Sequence, residues 1–173
     1  MTQEKKHFDI SEAIDAYLLR DGFDAIALTS KRKYEPWYAE VLSSIALLAS
    51  GDKVNYAYSS FGPTTPEVRI VVITTDLVLV ADVDPNMDGV PVVRTVGRRS
   101  LVEITLSASE RIDARDRRSH EWPGMLTLVL TYRDLADQIE IVESGVNVYA
   151  VDKPAPIVTL IQDLRSDLSR TIG

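Results

Sequence analysis

Two short segments hold most of the side chains that could bind a ligand or a metal. In the first, residues 82–89, oxygen-bearing side chains stand at alternate positions: Asp84, Asn86 and Asp88. This is the spacing of the first half of a calcium loop, where ligands at positions 1, 3 and 5 precede a glycine. The twelfth position is Thr95 instead of the usual bidentate glutamate. Because proline and glycine in the segment are typical of turns, it predicts a hairpin loop, with calcium binding as the alternative.

The second segment, residues 111–122, combines a cluster of arginines with a histidine and a tryptophan: Arg111, Arg115, Arg117, Arg118, His120 and Trp122. Arginine and tryptophan are enriched at binding hot spots, and clustered guanidinium groups can hold a carboxylate or a phosphate. Two aspartates and a glutamate lie among them, and exposed ion pairs contribute little energy. We therefore favour a solvated loop whose charges pair locally, and keep anion or small-ligand binding as the alternative.

Candidates for catalysis are few. The chain has no cysteine, and its histidines are His7 and His120. A nucleophile–histidine pair could use only His120, and its neighbour Ser119 would point to the opposite side of an extended chain. No spacing singles out a pair among the 26 acidic residues. The sequence therefore favours a protein without enzymatic activity or cofactor, and a hydrolase with an unrecognised carboxylate pair is a further alternative.

Composition and charge exclude other classes. The 173 residues are 45% hydrophobic and 26% charged, with a net charge of −7, which argues against a dedicated nucleic-acid binder. No segment reaches the roughly 18 apolar residues of a membrane span, and the first ten residues lack the apolar stretch of a secretory signal. We therefore expect a cytoplasmic protein. The charge is uneven: residues 94–118 carry a net +3 and the remainder −10, which suits an acidic partner or contact between copies.

Helices are predicted near the start of the chain. The sequence from Asp9 to Glu12 can form a capping box and predicts a helix over residues 10–20. Pro36 suits a first helical turn and predicts a second helix over residues 36–50, which Gly51 would terminate. Apolar residues recur along this second helix at a spacing that places them on one face: Trp37, Val41, Ile45 and Leu48.

After Gly51 the pattern changes to short β-rich segments separated by turn residues. Strands are predicted over residues 54–61, 68–74, 77–83, 90–97, 101–107, 125–132, 138–142 and, less distinctly, 146–150. Residues 101–107 and 125–132 alternate apolar and polar side chains, which is typical of antiparallel strands with one buried face. Only two residues separate the second and third strands, so these two must form a hairpin. An amphipathic helix is predicted over residues 156–170.

This order of elements resembles the pleckstrin-homology superfold, in which seven antiparallel strands are followed by a C-terminal helix. Residues 69–82 are similar to the second hairpin of bacterial members of that group, and residues 99–106 to the passage from the fourth strand into the fifth. The resemblance covers about residues 53–170. It implies an α+β fold with a barrel or sandwich of about seven strands and a capping helix, preceded by a helical segment over residues 1–52.

The resemblance also bears on ligands. Its best-known members bind phosphoinositide headgroups through a lysine on the first strand and an Arg-x-Arg sequence on the second. This chain has Lys53 and Arg69, but residue 71 is valine and the connecting segment contains no cation. A phosphate site needs several convergent donors, so phosphoinositide binding is disfavoured. We therefore expect a non-catalytic module that acts by protein–protein contact or as a homo-oligomer, with its N-terminal helices either covering the sheet or forming the contact between copies.

Overall fold

A computed structural model of the chain describes residues 3–19, 23–62, 67–86, 91–110, 123–145 and 155–171. The fold is α+β. Three N-terminal helices are α1 (Gln3–Leu18), α2 (Asp24–Ala27) and α3 (Pro36–Ala49). Seven strands follow, namely β1 (Val54–Phe61), β2 (Val68–Thr74), β3 (Leu77–Val83), β4 (Val93–Gly97), β5 (Leu101–Ala108), β6 (Met125–Tyr132) and β7 (Ile139–Ser144), and the last element is α4 (Pro156–Thr171).

The predicted α+β class is confirmed, and so are most of the predicted helices and strands. Two predicted strands lie wholly or partly outside the described residues. Hydrogen bonding divides the seven strands into two antiparallel sheets, of order β1-β2-β3-β4 and β5-β6-β7, and no ladder closes them into one barrel within the described residues. The chain also divides into two compact units, Met1–Arg98 and Arg99–Gly173. The possible strand over residues 146–150 and the start of the one over residues 90–97 lie outside the described residues.

The capping box predicted at Asp9 is wrong, because α1 begins at Gln3 and places Asp9 inside the helix. Most of the residues before Asp9 favour a helix. The helix therefore begins before Asp9, although aspartate also suits an N-cap. The predicted start of α3 is confirmed, with Pro36 in the first turn. It ends at Ala49, followed by Ser50 and Gly51 at φ of 40° and 103°, a left-handed exit that glycine adopts readily.

The helices of the first unit cover one face of its sheet. Ile14 of α1 and Ile45 of α3 are fully buried in the same hydrophobic core as Val72 and Leu79 of the central strands. The buried face of α3 therefore covers the sheet, which is one of the two roles considered for the N-terminal helices. Trp37 also packs against this core.

The central strands β2 and β3 are buried on both faces. Ile70, Val72 and Leu79 lie on the face that the helices cover, and Val71 and Val80, which pair across the hairpin on the other face, are 1% exposed. A strand buried on both faces is expected to be apolar throughout, and this explains why the sequence of β2 is a nearly unbroken apolar run.

A polar cluster holds the turn between β2 and β3. The buried Thr74 hydroxyl donates to Asp52 Oδ2 at 3.0 Å and accepts from the Leu77 amide at 3.0 Å. Arg98, which follows β4 and is 6% exposed, donates its backbone N–H to Asp76 O at 2.8 Å and Nη1 to Thr74 O at 3.0 Å. The guanidinium therefore loses water but keeps hydrogen-bond acceptors, as a buried charge requires.

In the second unit, β6 shows the predicted alternation, with every second side chain from Leu126 to Tyr132 buried. The predicted apolar face of α4 is confirmed as well, since Ile157, Leu160 and Leu164 are buried, and α4 contacts β5. The same alternation predicted for β5 is wrong. Only Leu101 is buried in that strand, because β5 lies at the edge of the sheet and its register shifts between Leu101 and Glu103.

Two identical substitutions on α3 test whether this helix is part of the core. Leu42 is 3% exposed and belongs to the core cluster, whereas Leu47 is 68% exposed. We expect Leu42→Ala to lower the free energy of unfolding by about 2–5 kcal/mol, because it leaves a cavity. Leu47→Ala should change it by less than about 0.5 kcal/mol. Urea unfolding of both variants makes the comparison, and equal losses would show that α3 does not pack as described.

Candidate functional site

The predicted binding loop is not among the described residues. Residues 111–122, and with them Arg111, Arg115, Arg117, Arg118, His120 and Trp122, lie outside them. Asp88 of the calcium pattern does too. The described part of the chain presents other candidate sites.

Two residues of the calcium pattern are described, and they contact each other. Asn86 donates its backbone N–H to Asp84 Oδ1 at 2.9 Å and its side-chain amide to the same oxygen at 3.2 Å. This is the Asx turn by which aspartate stabilises a reversal of the chain. Within the described ranges no three histidine, aspartate or glutamate side chains converge as metal ligands. Calcium binding at this loop stays a prediction.

Arg69 and Arg94 both bind one carboxylate. Arg69 Nε donates to Asp82 Oδ1 at 2.5 Å and Nη2 to Asp82 Oδ2 at 3.2 Å, while Arg94 Nη2 donates to Asp82 Oδ2. All three side chains are roughly one-third exposed. Because Arg69 forms a bidentate pair with Asp82, an anion approaching it would have to compete with that carboxylate.

Lys53 and Arg69 do not converge either. Lys53 immediately precedes β1, whereas Arg69 of β2 pairs with Ser60 at the far end of that strand. Seven residues of extended chain span about 23 Å, so the two cations lie near opposite ends of the β1–β2 ladder. A single phosphate group therefore cannot contact both, and the disfavoured phosphoinositide binding stays a prediction.

Two tyrosines bind the same carboxylate of α1. Tyr38 OH donates to Asp15 Oδ1 at 2.7 Å, and Tyr34 OH donates to Asp15 Oδ2. Burial, together with this hydrogen bond and the negative charge of Asp15, raises the pKa of Tyr34 to about 12 and that of Tyr38 further in the same direction. Both phenols therefore stay protonated at neutral pH and are unsuited to act as bases. Their hydrogen bonds to Asp15 join α1 to α3 and to the segment that precedes α3.

The same two tyrosines belong to an aromatic cluster that sequence analysis missed. The ring of Phe23 lies 5.5 Å from Tyr38, 6.3 Å from Trp37 and 6.4 Å from Phe61. These distances and the tilted or edge-on geometries are those of favourable aromatic packing. The density of aromatic residues between positions 34 and 38 was the available signal. The cluster fixes the segment between α2 and α3 against the end of β1.

A pocket of about 310 Å³ lies between α1 and the turn that leads from α3 into β1. It is lined by Asp9, Ile10, Ala13, Gly51, Asp52, Lys53 and Val54. Two apolar residues at its wall, Ile10 and Val54, are buried, and Asp52 is held by Thr74. The pocket therefore combines an apolar wall with one ammonium and two carboxylate groups, and its volume suits a small molecule. Sequence analysis missed it because its lining comes from separate segments.

Comparison with known proteins gives no identification. No known family matches the chain, and neither a curated protein nor a solved structure is similar to it. In the described part of the chain, no helix has the combined length and apolarity that crossing a membrane requires.

The raised pKa values predict how stability depends on pH. Tyrosines of the unfolded chain titrate near pH 10, whereas Tyr34 keeps its proton to about pH 12. Above about pH 10 the unfolded state binds fewer protons than the folded state, so the free energy of unfolding should fall as pH rises. Below pH 10 the tyrosines are protonated in both states, so this contribution to the free energy of unfolding is fully present. Urea unfolding at a series of pH values should show a shallower fall for Tyr34→Phe and for Asp15→Asn. Identical slopes in all three proteins would contradict the assignment.

Proposed function

We propose that this chain is a non-catalytic assembly module of the pleckstrin-homology-like kind, acting by protein–protein contact and first of all by contact between its own copies. The observation that carries the proposal is the exposed edge strand β5, in which Val102 and Leu106 are about half exposed. Exposed apolar side chains on an edge strand favour pairing with another chain.

The order of elements supports the pleckstrin-homology-like part of the proposal. Four antiparallel strands form one sheet, three form a second, and a single amphipathic helix follows. This is the order expected from the resemblance of residues 53–170. Such a fold does not fix a function, so the argument for contact between chains is based on the exposed surface.

The chemistry of the described side chains supports a non-catalytic role. The two groups with clearly shifted pKa values are tyrosines that hold their protons more tightly, whereas a catalytic base or nucleophile needs a pKa near the working pH. The two arginines on the outer part of the first sheet are engaged with Asp82.

Light scattering after size exclusion tests self-association. The chain has a mass of 19.2 kDa, and we expect the measured mass to rise towards twice that value as the protein concentration increases from the micromolar range. A mass of 19.2 kDa at every concentration would contradict the proposal. The full chain is the right sample, because α1 and α3 contribute to the core of the first sheet.

The pocket between α1 and β1 favours a second candidate function, the binding of a small molecule that carries both an amino and a carboxylate group. Lys53 can hold a carboxylate, and Asp9 an ammonium group. The apolar wall would contact the rest of the molecule.

Thermal unfolding with a panel of amino acids, inorganic anions and calcium tests this second candidate. A ligand at 100 times its dissociation constant should stabilise the fold by about 2.7 kcal/mol, and Lys53→Met should abolish a shift that arises in the pocket. A calcium or anion shift that survives in Lys53→Met would favour the loops of residues 82–89 or 111–122 instead. The pocket would be excluded for every panel member that causes no shift.

A further inference from the structure

Three charged side chains line the pocket between α1 and the turn into β1 without neutralising one another. Asp9, Asp52 and Lys53 all belong to its wall. The ion pairs formed among the described side chains lie elsewhere, on β2, β3 and β4, so neither carboxylate is within salt-bridge distance of the Lys53 ammonium group. A ligand with complementary charges can therefore pair with the groups that the protein leaves apart.

Asp52 is held in place by a partner that carries no charge. The Thr74 hydroxyl donates to Asp52 Oδ2 at 3.0 Å, and the backbone N–H of Asp52 donates to Ala49 O at 2.8 Å. A neutral hydroxyl orients a carboxylate without neutralising it. Asp52 is thus a positioned acceptor for a cationic group.

The other two charged residues lie on the solvent side of the pocket. Asp9 and Lys53 are exposed, whereas Ile10 and Val54 are buried and form the inner wall. The backbone of Lys53 is fixed, because its C=O accepts the Thr75 N–H at 3.1 Å. The pocket therefore places an apolar surface beside charged groups of both signs.

The number of charges specifies the ligand further. Two carboxylates and one ammonium group give the lining of the pocket a net charge of −1. A molecule with one amino and one carboxylate group would pair with Lys53 and with one carboxylate, and would leave the other carboxylate unpaired. A molecule with two cationic groups and one carboxylate pairs with all three, and such complementarity selects one partner over others.

We propose that the pocket binds an amino acid with a cationic side chain, for which lysine is the probe. This inference rests on the second candidate function, the binding of a molecule with an amino and a carboxylate group, and names its ligand class. Asp9 and Asp52 hold the two cationic groups, and Lys53 holds the carboxylate. Ile10 and Val54 contact the methylene chain. The volume of about 310 Å³ lies at the small end of the range for small-molecule sites.

Other charged ligands match the three groups less well. A diamine has no carboxylate and would bring a cation towards Lys53. An acidic amino acid would bring a second carboxylate towards Asp9 or Asp52. A divalent cation would also be repelled by the ammonium group, and in the described ranges no three acidic or histidine side chains converge as metal ligands. Repulsion of this kind rejects a competitor, just as a favourable contact selects a ligand.

Isothermal titration calorimetry of the full chain with lysine and three analogues tests the ligand class. Each analogue lacks one charged group: norleucine the side-chain ammonium, ε-aminocaproate the α-amino group and cadaverine the carboxylate. We expect each to bind at least about tenfold more weakly than lysine, because it loses one charge-assisted hydrogen bond and leaves one charge of the protein unpaired. A buffer of low ionic strength limits the screening of these contacts.

Substitutions at and away from the pocket test its location. Asp9→Asn should weaken lysine binding about tenfold and abolish the advantage of lysine over norleucine or over ε-aminocaproate. Lys53→Met should abolish its advantage over cadaverine. Glu40→Gln removes the same charge as Asp9→Asn from an exposed position on α3 outside the lining, and should change the affinity by less than about twofold. The urea midpoint of each variant shows that it folds.

The outcomes separate this inference from the function on which it rests. If norleucine or ε-aminocaproate binds as tightly as lysine, the ligand class is wrong and the binding of an amino and carboxylate molecule stands. If lysine binds Asp9→Asn and Lys53→Met as tightly as the wild type, the site lies outside the pocket and both fail. If cadaverine matches lysine, or if neither lysine nor norleucine binds at millimolar concentration, both fail as well.

Discussion

The burial of β2 and β3 on both faces is the constraint on which the first unit depends. Two adjacent strands in which nearly every side chain is apolar cannot leave either face in water, because each exposed leucine or valine would cost about 1.5–3 kcal/mol. The first fifty residues meet this requirement on one face, where Ile14 and Ile45 reach the strands. The N-terminal helices are thus part of the core and not an appendage to the sheet.

The polar groups of the first unit are arranged around the same strands. Thr74, Asp52 and Arg98 close one end of the β2–β3 hairpin, and Arg69 with Asp82 binds the two strands near the other. Each of these charged side chains has a hydrogen-bond partner. Of the side chains that were candidate ligands in the sequence, Asp84, Asn86 and Arg69 are engaged in hydrogen bonds within the fold.

Sequence analysis predicted best where one periodicity dominated. Strand β6 and helix α4 have regular patterns of buried positions, and the two-residue turn at Thr75 and Asp76 allowed only a hairpin. It failed where the burial of a side chain depends on the position of its strand in the sheet. The pattern of β5 resembles that of β6, but β5 is an edge strand with an irregular register, and most of its side chains stay exposed. The pocket beside Lys53 and the shared carboxylate of Asp15 depend on contacts between distant segments, which no local pattern encodes.

The buried Arg98 has a consequence for how this chain can vary. Its guanidinium donates to the backbone oxygen of Thr74 and its backbone N–H to that of Asp76, at the β2–β3 turn. A backbone acceptor such as that of Asp76 does not depend on the side chain of its own residue, but it does depend on the path of the chain. The residues of the turn itself, Thr75 and Asp76, can therefore change more easily than its length, because an insertion would displace the Thr74 carbonyl from the buried guanidinium. Loop length here is fixed more tightly than loop sequence.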